Sequence, residues 1–308
     1  MDERGALALL EAELEPVGDD AAVVDELVVT TDMLHDRTDF PAGTTRYTAG
    51  WRSVGASLSD VAAMGAEATA AVAAYAAPAF DDGELLSFVR GAREVCAAVD
   101  AEYVGGDLDE HQEFTVATTA IGRVGPETDP VHRTGARPGD RVCVTGQLGR
   151  SAAGLESFER ASDTAQAGDE ETAARLRERG NDLFRFTPRI AAGRALAPHA
   201  TAMMDSSDGL ARSLHQLAEA SGCGFAIDGE RVPIDEAVFE FADEDDALAL
   251  ATTFGEDFEL VATVPETELE AVRDAVDVPV TEIGTVLEAD EGITMDGEPL
   301  ADEGYTHG

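Results

Sequence analysis

Carboxylates outnumber guanidinium groups three to one in this chain: 63 Asp and Glu stand against 21 basic residues, every one of them Arg, for a formal charge of −42 over 308 residues. Self-repulsion on that scale opposes any compact state, so the chain folds only if its apolar residues gather into substantial cores. They do: 44% of the residues are hydrophobic and they recur in periodic runs, unlike the diluted apolar content of an acidic disordered tail. At 308 residues the chain is at about the limit of one core, and Gly135, Pro138 and Gly139 mark a break, so two domains are expected, 1–137 and 138–308.

The charge also excludes functions. A field of this sign repels nucleic acid and anionic membrane surfaces, so neither is an expected partner. Without any Lys the chain has no P-loop lysine and no Schiff-base lysine. Excess carboxylate with Arg as the sole strong base suits a halophilic protein of a salt-rich cytoplasm, where screening acts over about 3 Å at about 1 M salt. Cys96, Cys143 and Cys223 are widely spaced in apolar surroundings and read as buried thiols, not a zinc cluster or disulfide framework. The first residues, MDERGALALL, lack a basic leader and no run approaches about 20 apolar residues, so a cytoplasmic location is expected.

The pattern is mixed. A short helix is expected over 3–15, then two strands in VGDDAAVVDELVVTTDML, then helical spacing from Thr44 to Pro78 and again over 82–98. AEYVGGDLD reads as a strand entering a glycine turn, and EFTVATTAIGRV as a strand. The second half offers strand RVCVTG, a helix from Ser151, a solvated acidic loop from Ser162 to Glu171, helices at 189–196 and in LARSLHQLAEASG, and strands FELVATV and VPVTEIGTV. The class is α/β (α+β).

Five short segments then place carboxylates and hydroxyls beside strands: Gly18-Asp19-Asp20, Thr30-Thr31-Asp32, Ser59-Asp60, Gly105-Gly106-Asp107 and Asp205-Ser206-Ser207-Asp208-Gly209. Hard oxygen ligands of this kind suit Mg2+ that also holds phosphate oxygens. Ordinary roles compete: Asp60 and Asp208 as caps at helix starts, the others as turn residues. No G-x-S-x-G occurs, and Gly146-Gln147-Leu148-Gly149 matches neither G-x-G-x-x-G nor G-x-x-x-x-G-K, though a phosphate-binding turn stays open.

Taken in order, GDDAAVV, TTDML, LSDVAAMGA, GGD, RTGARPGD, VTGQLGRSAAGL, SSDGL and GEDFEL resemble the thiamine-monophosphate kinase family, within the superfamily of aminoimidazole ribonucleotide synthetase and selenophosphate synthetase. The resemblance runs from Gly18 to Leu260. It implies a two-domain aminoimidazole ribonucleotide synthetase-like fold whose N-terminal domain forms a shared β-barrel in a homodimer. It implies ATP-dependent phosphorylation of thiamine monophosphate to thiamine diphosphate, with ATP as co-substrate and several Mg2+ ions. By resemblance Asp20, Thr30, Thr31, Asp32, Asp60, Asp107, Asp205 and Asp208 are metal positions, Gly106, Asp107, Arg133 and Ser207 ATP positions, and Asp39 and Glu256 substrate positions. Asp39 departs from the family, whose bacterial members usually carry His there. No acid or base is required, because the acceptor phosphate, with a second pKa of about 6, is largely ionised near pH 7. The alternatives are another ATP-dependent enzyme of the superfamily and a non-catalytic acidic cation-binding protein.

Overall fold

The computed structural model describes Leu10, Leu14 and residues 18–125 and 128–304. The helix expected over 3–15 lies almost wholly outside the described residues. Two sheets organise the rest. The first has strands β1 (Ala22–Val24), β2 (Leu27–His35), β3 (Glu67–Ala77), β4 (Glu102–Glu110) and β5 (Thr115–Arg123), in the order β1-β2-β5-β3-β4. All its pairs are antiparallel except β3 with β4. Two helices, α1 (Arg46–Ala63) and α2 (Asp82–Ala98), accompany it. They approach closely because glycines face each other's backbone: a Cβ on Gly50 would lie 2.2 Å from the Phe88 carbonyl oxygen, and one on Gly91 2.0 Å from that of Tyr47.

The second sheet has strands β6 (Arg141–Thr145), β7 (Ala202–Asp205), β8 (Cys223–Ile227), β9 (Leu260–Val264), β10 (Val280–Glu288), β11 (Ile293–Met295) and β12 (Glu298–Pro299). Their order is β12-β11-β8-β10-β6-β9-β7, with only β8 and β11 parallel. Its helices are α3 (Arg150–Gln166), α4 (Glu170–Phe184), α5 (Ile190–Leu196), α6 (Leu210–Ser221), α7 (Glu244–Thr253) and α8 (Leu269–Ala275). The main core does not stop at the change of sheet: it joins Val28, Leu58 and Phe114 to Cys143, Met203 and Ala262. All three cysteines are buried and free.

Several expectations fail for local reasons. The helical spacing from Thr44 to Pro78 covers two elements. Gly65, at φ +67°, ends the helix, and the alanine-rich run beyond it is β3. Alanine favours helices, but β3 lies between two strands, and pairing on both edges overrides a propensity of a few tenths of a kcal/mol. Asp60 consequently sits in the last turn of α1, not at a helix start. GGD stays within β4, just past a register shift against β3, instead of forming a turn, and Thr30-Thr31-Asp32 lies within β2. The acidic segment from Ser162 to Glu171 is the end of α3, a tight turn and the start of α4, where Asp169 caps the helix by accepting from the Thr172 amide. Its charge marked a solvated face, not a loop.

Candidate active site

Asp20 precedes β1, Asp60 ends α1, and Asp205 ends β7, yet their carboxylate oxygens come within 4.8 Å of one another. Asp20 is almost fully buried and accepts two bonds from one guanidinium, Arg133 Nε at 3.2 Å and Nη2 at 3.0 Å. Asp19 holds that arginine in place, accepting from its backbone amide at 2.8 Å and meeting His132 Nδ1 at 2.7 Å. Thr30 donates to Asp60 at 2.5 Å, and Ser57, one turn earlier on α1, donates to Asp32 at 2.9 Å. One oxygen of Asp205, Oδ2, is buried with no hydrogen-bond partner among the described residues.

The helix-cap reading of Asp60 fails: Asp60 stands at the negative end of the α1 dipole, where a carboxylate is disfavoured. The N-cap position of α6 is Gly209, with Asp208 one residue before it. Burial, and then the charges of Asp32, Asp205 and Asp20, hold Asp60 well above the usual carboxylate range. Burial followed by Asp20 pushes Asp205 up to about 8. One arginine is too little countercharge for such a group, and an orphaned buried carboxylate oxygen among converging carboxylates is what a divalent cation satisfies. The donor set fits Mg2+.

A pH dependence follows. Because folding raises these pKa values, the metal-free protein has their full stabilising contribution below the ordinary carboxylate range and loses it as pH rises through the raised values. A bound cation replaces those protons. The gain in Tm on adding Mg2+ is therefore expected to be larger at about pH 8.5 than at about pH 6. Equal gains at both would show that these carboxylates do not take the ion.

Not every sequence-predicted residue joins the cluster. Register puts Asp32, Thr118, Ala73 and Gly106 in one row, with Asp32 facing Ser57 of α1. The adjacent row, Met33, Ala117, Ala74 and Asp107, points to the other face of the sheet, as does Thr31 by the same alternation. Thr31 and Asp107 are both exposed there. Ser207 and Asp208 follow Asp205 on the segment between β7 and α6, both half-buried.

The substrate pair does converge. Asp39 and Glu256 line one cavity of about 370 Å³, with Pro41, Leu155, Phe184 and Phe254 among its apolar walls. Asp39 is buried and its carboxylate already accepts from the His35 amide at 2.7 Å and the Thr38 hydroxyl at 2.8 Å, so it braces its own loop. Gly304 borders the same cavity, while Tyr305 to Gly308 lie outside the described residues.

Sequence reasoning missed how densely the GEDFEL segment is held. The Glu256 amide bonds the Ser207 carbonyl at 2.5 Å, tying cavity to cluster. Asp257 accepts from the Gly149 and Ser151 amides at 2.6 and 2.9 Å, and burial pushes its pKa up to about 7 against those bonds. The Gly146 and Leu148 amides also have protein acceptors, so three of the four amides of the turn 146–149 are already engaged. Glu259 takes Thr145 and both faces of the Arg189 fork. Arg52, fully buried, reaches Glu256. An arginine in the middle of a helix rich in small and apolar residues was the available signal.

The family models for AIR synthase related proteins match this chain twice, the N-terminal domain over residues 18–124 and the C-terminal domain over 137–296. Two sheets with an acidic cluster between them thus define an AIR synthase-related protein. Thiamine-monophosphate kinase of Halobacterium salinarum is 60% identical over all of both chains, and that of Methanospirillum hungatei 39% identical over 100% of this chain and 99% of its own. A solved structure, AaThiL complexed with AMPPCP and TMP, superposes with a TM-score of 0.84 at 28% identity, covering 100% of this chain and 97% of the other. The chain belongs to the thiamine-monophosphate kinase family.

Proposed function

We propose that this chain transfers the γ-phosphoryl group of ATP to thiamine monophosphate, giving thiamine diphosphate and ADP. The observation that carries the reading is the convergence of Asp20, Asp60 and Asp205, one of them with an unpartnered buried oxygen, beside a cavity lined by Asp39 and Glu256. That a similar structure holds AMPPCP together with TMP, which we read as thiamine monophosphate, supports both substrates. Asp20, Asp60 and Asp205 would hold Mg2+, with Thr30 and Asp32 adjoining; for Asp208, and for Thr31 and Asp107 on the other face of the first sheet, a metal role rests on family likeness alone. So held, Mg2+ supplies countercharge to phosphate oxygens and aligns donor with acceptor.

The chain's own part is to bind and orient. Arg133, whose Nε and Nη2 bond Asp20, would meet phosphate through Nη1, and Ser207, Gly106 and Asp107 are assigned to ATP. The apolar walls of the cavity suit the ring faces of the acceptor, while its carboxylates suit an aromatic cation such as the thiazolium. No side chain need move a proton. The 137/138 division and a homodimer with a shared barrel belong to the same reading. Support for the dimer comes from the outer face and open edges of the first sheet, where Val24, Met33, Val104 and Leu108 are all more than half exposed. Among the described residues no helix is long and apolar enough to cross a membrane.

Direct transfer is the expected outcome. With γ-labelled ATP and Mg2+ the label should reach thiamine diphosphate and never rest on the protein. Label retained by the protein when acceptor is withheld would require a phosphoenzyme and contradict the scheme. A non-catalytic cation-binding protein would instead show no melting shift with ATP.

A further inference from the structure

Arg52 is the largest of the fully buried side chains, at 0% exposure, and it lies on the same helix as Asp60. Burying a guanidinium is costly unless its donors are satisfied, and the partners it finds here come from three separate segments. Nη1 donates to the Phe184 carbonyl at 2.9 Å. Nη2 donates to the Glu256 carboxylate at 2.9 Å and to the Glu256 carbonyl at 3.2 Å. Ser151 lies 3.3 Å from Nη2 and itself donates to the Glu256 carbonyl at 2.7 Å. Among the described residues Nε has no hydrogen-bond partner, and the guanidinium carbon stands 4.5 Å from the Phe184 ring centroid.

These bonds concentrate on one residue. Glu256 has a left-handed backbone, φ 58°, which is uncommon for a residue with a side chain, and Phe258 repeats it at φ 54°. Arg52 and Ser151 fasten the Glu256 carbonyl, while Ser207 fastens its amide. On the side chain, only Oε2 is taken, by Arg52; among the described residues no hydrogen bond reaches Oε1, and Glu256 lines the cavity. One carboxylate oxygen is anchored and the other is left for a ligand.

We infer that Arg52 is a positioning residue that sets the Glu256 carboxylate for the acceptor, an inference resting on the reading that Glu256 meets the thiamine side of thiamine monophosphate. Arg52 lines neither the cavity nor the carboxylate cluster, so it acts through Glu256. It also couples α1, which carries Asp60, to the acceptor side.

The test is a double-mutant cycle of Arg52→Gln and Glu256→Gln at high salt, with KM measured separately for thiamine monophosphate and for ATP. Each single change should raise KM for thiamine monophosphate about tenfold or more, the scale of a lost charge-assisted hydrogen bond, and leave that for ATP within about twofold. The double variant should be no worse than the poorer single, because one contact is lost only once. Arg52→Lys should fall between wild type and Arg52→Gln, since an ammonium reaches Glu256 without the second fork arm. If Arg52→Gln does not fold, the same cycle with Arg52→Lys decides: its effect should vanish in the Glu256→Gln background. Effects that multiply, or that fall equally on ATP, would make Arg52 a packing residue and overturn the inference alone. A silent Glu256→Gln would overturn the substrate reading of Glu256, and the inference with it.

Discussion

Asp→Asn at position 20, 60 or 205 is expected to lower phosphoryl transfer by about 10²-fold or more, the scale of losing one strong transition-state contact, while the fold persists. Asn has nearly the size of Asp. At Asp60 and Asp205 it also removes a carboxylate whose charged form burial and its neighbours disfavour, so Tm without metal should stay level or rise there, whereas Asp20→Asn also breaks the Arg133 pair and should lower it. The loss should be deepest at limiting Mg2+, and the Tm gain on adding the ion should shrink. Asp60→Asn is the cleanest of the three, since its Thr30 bond can be kept while the charge is lost. Glu159→Gln, an exposed carboxylate on α3, is the control for generic loss of acidity and should be nearly silent. Near-normal turnover in all three Asn variants would make these residues structural.

Lowering salt should have an effect as large, by a different route. With a formal charge of −42, self-repulsion is confined to about 3 Å at about 1 M salt but extends to about 10 Å at about 0.1 M. Many of the ion pairs here are exposed, such as Arg123 with Glu26 and Arg231 with Asp228, and contribute little to offset it. Tm and the mass of the assembly are expected to fall together as salt is reduced from about 1 M to about 0.1 M. Constancy of both would show that the composition has no such consequence.

The legibility of this chain divides along physical lines. A strand with clear alternation, β5, and helices with caps or glycine ends, α2 and α6, stand out from periodicity alone. β3 does not, because its alanines are demanded by close packing between two strands, a tertiary requirement that mimics a helix in one dimension. The cluster residues Asp20, Asp60 and Asp205 were legible as acidic words; their convergence was not, since it depends on how a helix end and a strand end from different sheets meet. The misplacing of Asp60 at a helix start made a cap reading credible that the geometry removes. Thr31 and Asp107 show the converse: motif words placed them with the metal, and the two-residue period of β2 and β4 turns them to the opposite face. Arg52 and Asp257 went unread because their importance lies entirely in partners about 100 to 200 residues away, distances that sequence spacing does not express.

The most direct test of the central claim is to incubate the protein at high salt with ATP, Mg2+ and thiamine monophosphate, in parallel with Asp60→Asn, and to identify products by mass. Thiamine diphosphate and ADP in equal amounts from the wild type, and little of either from the variant, is the predicted result. ADP formed without thiamine diphosphate, or equal yields from both proteins, would contradict it.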